Sequence, residues 1–243
     1  MPRPPRFFIS PEQAAGHSIT ITGEDVRHIA VLRMESGDEL LIADGRGMEY
    51  AVRIMGIDRT TVRTEIISQA KREPASPRIT LGQGIPKSDK MDLIIQKATE
   101  LGVSALVPLV TERTIVKIRD EEKRAGRWQK IAREAAMQSS RLDIPQIEPV
   151  RSFRDYVFSL NPAPGTLLLF PWEEGTEPVK NVLKRNPDAG NIVVLVGPEG
   201  GFSGKEANEA KSRGFHPVSL GSNILRTETA ALAVLSMIGY EYR

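Results

Sequence analysis

Ile192-Val-Val-Leu-Val-Gly-Pro-Glu-Gly-Gly-Phe-Ser-Gly-Lys205 passes in one step from five consecutive apolar residues to a glycine-rich loop. The apolar run lacks polar alternation, as expected for a strand covered on both faces. Ser203 and Glu206 stand at the spacing of a capping box, so a helix begins directly after the loop. Strand, glycine loop and helix in that order belong to an α/β protein with a mainly parallel sheet, whose ligands bind at the carboxyl ends of the strands. Two familiar phosphate loops are excluded. A P-loop needs Gly six residues before Lys205 and Ser or Thr after it, and Glu199 and Glu206 stand there. A dinucleotide fingerprint needs Gly-x-Gly-x-x-Gly, which neither this loop nor Gly82-Gln-Gly-Ile-Pro-Lys87 completes. What remains is a loop where glycine lets backbone groups approach a neutral or cationic ligand, or a tight turn whose glycines serve geometry alone.

Working outward, strands and helices alternate on both sides. Arg78 to Gln83 and Ala105 to Val110 read as strands. Between them Met91, Ile94, Ile95, Ala98 and Leu101 mark one apolar helix face, with Ser88 or Asp89 as cap and Gly102 as stop. A longer helix is expected around Trp128, Ile131, Ala132 and Ala135, and a short one after Pro178. Strands are expected at Thr166 to Phe170 and Pro217 to Leu220, and a last helix from Thr227 to about Tyr240. The N-terminal part reads differently. Ser18 to Thr22, Glu39 to Ala43, Glu49 to Ile57 and Thr61 to Ile67 alternate as short strands, which suggests a small barrel. Lys71-Arg-Glu-Pro-Ala-Ser-Pro77 has no periodicity and separates the two parts, giving domains 1–72 and 73–243.

Composition narrows the chemistry. The 243 residues contain no cysteine, which excludes disulfides, thiolate metal sites and a cysteine nucleophile and fits a reducing compartment. His17, His28 and His216 have no ligand spacing, so neither a metal site nor a histidine triad is expected. The N-terminus lacks the apolar stretch of a secretory signal and no run approaches a membrane span, so a cytoplasmic location is expected. Lys and Arg exceed Asp and Glu by 33 − 31 = +2. Bulk charge thus gives little reason for nucleic-acid binding, but eight basic residues against three acidic ones lie between Arg113 and Arg133. Either a solvated helix face or a phosphate-tracking patch fits that excess.

A second loop, Leu220-Gly-Ser-Asn-Ile-Leu-Arg-Thr-Glu-Thr-Ala230, also follows an expected strand and enters a helix. Neighbouring strands would bring both loops to one edge. Arg226 is then a candidate for stabilising a developing anion. Glu228 beside it either orients that arginine or caps the helix.

Four blocks together resemble one family. They are Lys87 to Val103, Arg127-Trp-Gln-Lys-Ile-Ala-Arg-Glu-Ala-Ala-Met-Gln-Ser-Ser-Arg141, Gly197-Pro-Glu-Gly-Gly-Phe-Ser203 and Leu220 to Ala230. In this order they are similar to the RsmE family, ribosomal small-subunit RNA uridine N3-methyltransferases of the SPOUT superfamily. The resemblance implies an N-terminal PUA-like β-barrel for RNA and a C-terminal α/β domain with a deep trefoil knot. It also implies S-adenosylmethionine as cofactor, a homodimer, and 16S ribosomal RNA or the small ribosomal subunit as partner. Carried over by position, the cofactor pocket comprises Phe170, Pro171, Gly197, Glu199, Gly200, Gly201, Leu220, Gly221, Ile224, Leu225 and Arg226. N3 of uracil carries a weakly acidic proton, so a base and an anion stabiliser assist its methylation. Arg226 is the candidate stabiliser. Glu199 and Glu228 are candidate proton acceptors, with structural roles or deprotonation by solvent as alternatives. Arg3, Arg6, Arg113, Lys117, Arg127 and Arg133 are the candidate RNA contacts. Related SPOUT enzymes acting on transfer RNA or another base, and a noncatalytic RNA-binding assembly factor, are the competing readings.

Overall fold

The computed structural model describes residues 4–10, 13–45, 47–72, 76–116 and 120–242. Contacts divide the chain into two units, 1–74 with 136–144, and 75–135 with 145–243.

In the first unit the order is β1 (Arg6–Phe8), β2 (Ala14–Ala15), β3 (Ser18–Thr22), α1 (Glu24–Val31), β4 (Glu39–Ala43), β5 (Met48–Ile57) and β6 (Thr61–Lys71). They form one six-stranded sheet in the order β1-β4-β5-β6-β3-β2. Only the β1–β4 pair is parallel. The period-2 alternation seen in the sequence sets which face is dry: Ile19, Ile21, Leu40, Ile42, Val52, Ile54 and Val62 point into one core with Phe7 and Ile29. Each such side chain contributes about 1.5–3 kcal/mol by leaving water. The small barrel expected from the sequence is present as a half-barrel, whose sheet ends on β1 and β2 among the described residues. β1, whose Arg6-Phe-Phe8 has no alternation, and α1 carry no clear signal in the sequence. That helix starts at Gly23 without a side-chain cap and buries only Val26 and Ile29.

Residues 136–144 complete this core, a contribution that a single boundary near residue 72 does not anticipate. Ala136 and Met137 are buried in it, with Leu142 and Ile144 packed alongside. Arg6 donates from Nη1 to the carbonyls of Ser140 and Arg141, 2.9 Å each, and pairs through Nη2 with Glu49.

The second unit comprises β7 (Arg78–Gly84), α2 (Lys90–Glu100), β8 (Ala105–Val110), α3 (Glu121–Gln138, whose last residues belong to the first unit), β9 (Gln146–Ile147), β10 (Arg151–Ser152) and α4 (Phe153–Ser159). It continues with β11 (Thr166–Pro171), α5 (Val179–Arg185), β12 (Asn191–Val196), α6 (Gly204–Ser212), β13 (His216–Val218) and α7 (Thr227–Tyr242). The sheet runs β10-β8-β7-β12-β11-β13 with β9 on β8, and every pairing is parallel. All strands therefore present their carboxyl ends at one edge. β12 lies inside the sheet, as its apolar run requires. Val193 and Leu195 join Phe170, Phe202 and Phe215 on one face. Ile192 and Val194 are buried on the other, where α7 packs on β12 and against α2.

The capping box of α6 is formed. Ser203 Oγ accepts from the Glu206 amide at 3.2 Å, and Glu206 Oε2 accepts from the Ser203 amide at 2.8 Å. Two expectations change. β12 and β13 are not neighbours, because α5 carries the chain inward to pair β12 with β7 while α6 returns it to the outer side of β11. Asp89 occupies the N-cap of α2 but its side chain caps nothing, and Ser88 takes a left-handed φ of 57°. α4 was also missed, although Ser152 caps it by accepting from the Asp155 amide at 3.0 Å.

Candidate active site

Three loops leaving the carboxyl edge enclose a cleft of about 230 Å³, far more than a water needs. They are the turn after β11 at Pro171 and Trp172, residues 196–202 after β12, and residues 218–225 after β13. Thr227 and Ala230 at the start of α7 close it.

Glycine makes the close approaches possible. A Cβ on Gly197 would lie 2.9 Å from the Gly201 carbonyl carbon and 3.0 Å from its Cα, backbone that cannot yield. A Cβ on Gly84 would lie 2.6 Å from Pro198. Gly84 is thus a spacer that admits the β12 loop, while Gly82 makes room for the Leu195 side chain of β12. Gly201 and Gly221 have φ of +66° and +134°, and a Cβ on either would stand in open space. Those two leave backbone exposed on the cleft lining.

A buried chain of hydrogen bonds ties the loops together. Thr227 Oγ1 donates to the Gly197 carbonyl at 2.6 Å and accepts from Gln83 Nε2 at 2.9 Å. Gln83 Nε2 also donates to the Gly84 carbonyl at 2.8 Å. Gln83 is fully buried and its Oε1 has no partner. At the rim, Glu199 accepts from the Lys87 amide through both oxygens, at 3.0 and 3.3 Å. Lys90 Nζ lies 3.3 Å from Glu199 and 3.2 Å from Glu228. Burial pushes the Glu228 carboxyl up, but its own backbone amide and Lys90 outweigh this and hold it below the usual carboxylate range. The bond to Glu228 raises the Lys90 ammonium above its ordinary value, against the effect of burial.

Of the residues expected at the pocket, Pro171, Gly197, Glu199, Gly200, Gly201, Leu220, Gly221, Ile224 and Leu225 line the cleft. Phe170 does not. It is buried beneath, its ring 6.0 Å from that of Trp172 and 6.3 Å from that of Phe202. Arg226 is exposed and outside the lining, and Glu228 is also outside it, tied through Lys90 to Glu199 on the lining. Trp172, Pro198, Thr227 and Lys90 were not foreseen. Trp172 carries the Lys211 ammonium over its ring at 4.3 Å. Among the RNA candidates, Arg6 is turned inward with its side chain 7% exposed. Arg113 packs its stem over Gly200 and donates to the Gly200 carbonyl. Arg127 pairs with Asp92 while 64% exposed, and Arg133 is half-buried on α3. Arg3 and Lys117 lie outside the described residues. No group of three His, Cys, Asp or Glu side chains among the described residues is placed to hold a metal.

Residues 73–239 match the RNA methyltransferase domain family, and residues 21–67 match the RNA methyltransferase PUA domain. A ribosomal RNA small subunit methyltransferase E from Bacillus subtilis is 32% identical over 233 residues, covering 92% of this chain and 90% of the relative. The chain belongs to the ribosomal RNA small subunit methyltransferase E family. A member from Synechocystis is 34% identical, over 96% of this chain and 76% of its own. The crystal structure of the Neisseria gonorrhoeae member of this methyltransferase family, bound to S-adenosyl methionine, superposes with a TM-score of 0.90 at 32% identity over 99% of this chain and 98% of that one. In this family, then, the N-terminal sheet is a PUA domain and the parallel sheet is the methyltransferase domain, with the two matched spans meeting between residues 67 and 73. Among the described residues no helix is long and apolar enough to cross a membrane.

Proposed function

We propose that this chain methylates N3 of one uridine in 16S ribosomal RNA, with S-adenosylmethionine as methyl donor. The carrying observation is the three-loop cleft at the carboxyl edge, matched in a family whose Neisseria gonorrhoeae member is bound to that cofactor. The cleft suits such a group. Backbone at Gly201 and Gly221 is exposed for polar contacts, Leu220 and Leu225 offer apolar surface, and Trp172 offers a ring. Among the lining residues, Gly197, Gly200, Gly201, Leu220, Gly221 and Leu225 would hold it, with Phe170 as the support beneath Trp172. When bound, S-adenosylmethionine supplies a methyl already activated on a sulfonium.

The remaining tasks belong to the chain. It must orient the acceptor nitrogen, exclude water and receive the N3 proton. Glu199, on the lining, is the best-placed proton acceptor. Glu228, held ionised below the ordinary range, is the poorer base. Arg226 would serve as anion stabiliser only by bending its exposed side chain over the rim. N3 lies on the pairing edge, so the target uridine must be unpaired or turned out. Arg113, Arg127 and Arg133 are the proposed phosphate contacts of the described chain, with the PUA domain as RNA-binding unit. We further propose a cytoplasmic homodimer and a trefoil-knotted backbone. The match of residues 73–239 to the RNA methyltransferase domain supports the knot.

Reverse-transcription mapping tests the assignment, because N3 methylation blocks pairing. Incubated with cofactor and unmethylated small subunits, the protein should produce a stop at one uridine. Stops confined to transfer RNA, or none despite bound cofactor, would overturn it.

A further inference from the structure

The first turn of α2 carries Asp92 where the helix dipole favours an acid, yet its start is irregular. Asp89 caps nothing, Ser88 sits in the left-handed region, and the first helical residue is a lysine, whose charge opposes the dipole at that end. Capping does not explain this arrangement. The compensation comes from elsewhere in the chain: Lys90 bridges Glu199 of the β12 loop and Glu228 of α7, at 3.3 and 3.2 Å. Of the described residues only Lys90 forms an ion pair with either carboxylate. Glu228 Oε2 is buried with no hydrogen-bond partner, and the Lys90 ammonium is the cation paired with it among the described residues.

We propose that Lys90 is a positioning residue that clamps Glu228 and aims the Glu199 carboxylate at the cleft as acceptor of the N3 proton. The inference rests on the methyltransferase reading above. Two carboxylates sharing one cation divide their roles by environment. Glu228 is committed, held by its own backbone amide and Lys90, with Arg226 as the other charge bearing on it. Glu199 lines the cleft, and among the described residues its hydrogen-bond donor besides Lys90 is the Lys87 amide, which holds both oxygens. The step balances. The N3–H bond breaks with its proton passing to a Glu199 oxygen. The electron pair left on N3 forms the bond to the methyl carbon, and the pair of the broken carbon–sulfur bond stays on sulfur, leaving a neutral thioether. Lys90 exchanges no proton. It keeps Glu199 from sharing one with Glu228.

The test compares the full-length wild type with Lys90→Gln, Lys90→Arg, Glu199→Gln and the pair Lys90→Gln/Glu228→Gln. Methyl transfer to unmethylated small subunits is followed across pH, and the glutamate carboxyls are titrated by carbon NMR without RNA. Lys90→Gln should lower kcat about 100-fold, the scale of one positioned base, with KM changed less than about 3-fold. Glu199→Gln should lower it as much. Lys90→Arg should recover to within about tenfold of wild type, since it keeps the charge. The double variant should exceed Lys90→Gln severalfold, because removing the Glu228 charge ends the competition for a proton. In the NMR titration, Lys90→Gln should move the Glu228 carboxyl to higher pH. Near wild-type turnover in Lys90→Gln or Glu199→Gln, no gain in the double variant, or an unmoved Glu228 titration would each overturn the proposal. A wild type that methylates no uridine would sink the function, while the titration still decides the Lys90 bridge.

Discussion

Replacing Thr227 by valine removes one oxygen, preserves the shape, and strikes the junction of three loops. Thr227 is 4% exposed, and its hydroxyl is both donor to the Gly197 carbonyl and acceptor from Gln83. Valine leaves one Gln83 N–H orphaned, since the other is bound to the Gly84 carbonyl. It leaves the Gly197 carbonyl with only the long 3.5 Å approach of Gln83 Nε2. A buried group stranded this way costs about 1–3 kcal/mol, so one full and one partial loss sum to about 3 kcal/mol. At about 2–4 °C per kcal/mol for a chain of this size, the melting transition should fall by about 6–12 °C. Calorimetry should show that loss in the transition of the second unit, and S-adenosylmethionine should bind more weakly because Gly197 lines the cleft. Thr227→Ser, which keeps the hydroxyl, should lose only about 1 kcal/mol for its methyl. A valine variant within about 0.5 kcal/mol of wild type, with unchanged cofactor affinity, would refute the idea that this hydroxyl fastens the loops.

Gly197→Ala should abolish measurable cofactor binding by calorimetry while far-ultraviolet dichroism stays native, because its Cβ meets the Gly201 backbone at 2.9 Å. Gly201→Ala, whose Cβ meets nothing, should cost only about 1–2 kcal/mol of left-handed strain, and denaturant unfolding can measure it. Burial pushes the Tyr156 phenol up to about 12, with Arg151 lowering and Glu148 raising it, so ultraviolet titration should show one tyrosine still protonated well above its ordinary 10.0. Its raised value means the stabilisation is present below pH 10.0 and lost as pH climbs through about 12. For Glu228 the sign is opposite. Its lowered value stabilises the fold above about 4.5 and the gain disappears as pH falls through the lowered value, so the stability gap between wild type and Glu228→Gln should close in acid.

Alternation and apolar runs carried much of the architecture, because a strand's two faces and a helix's buried stripe are written as spacing. Ile19 and Ile21 on β3, Val193 and Leu195 on β12, and Met91, Ile94, Ile95 and Ala98 on α2 are buried as their spacing requires. The Ser203–Glu206 box closed for the same local reason. Short elements with weak patterns did not show: β1, α1 and α4 draw their stability from partners distant in the chain. Most of the cleft lining was legible as glycine-bearing loops after strands. Lys90 was not, since nothing near it in the sequence says that its partners are Glu199 and Glu228.

By itself the sequence determined the parallel α/β character, the strand-rich N-terminal part and the two glycine-bearing loops that line the cleft, all properties of spacing within about twenty residues. Only the tertiary structure decided that β11 lies between β12 and β13, that residues 136–144 return to the first unit's core, and that Arg6 faces inward. It alone joined Gln83 to Thr227 and Lys90 to two carboxylates. Pairing of distant segments depends on which surfaces fit when the chain closes on itself, and a local pattern holds no record of that closure.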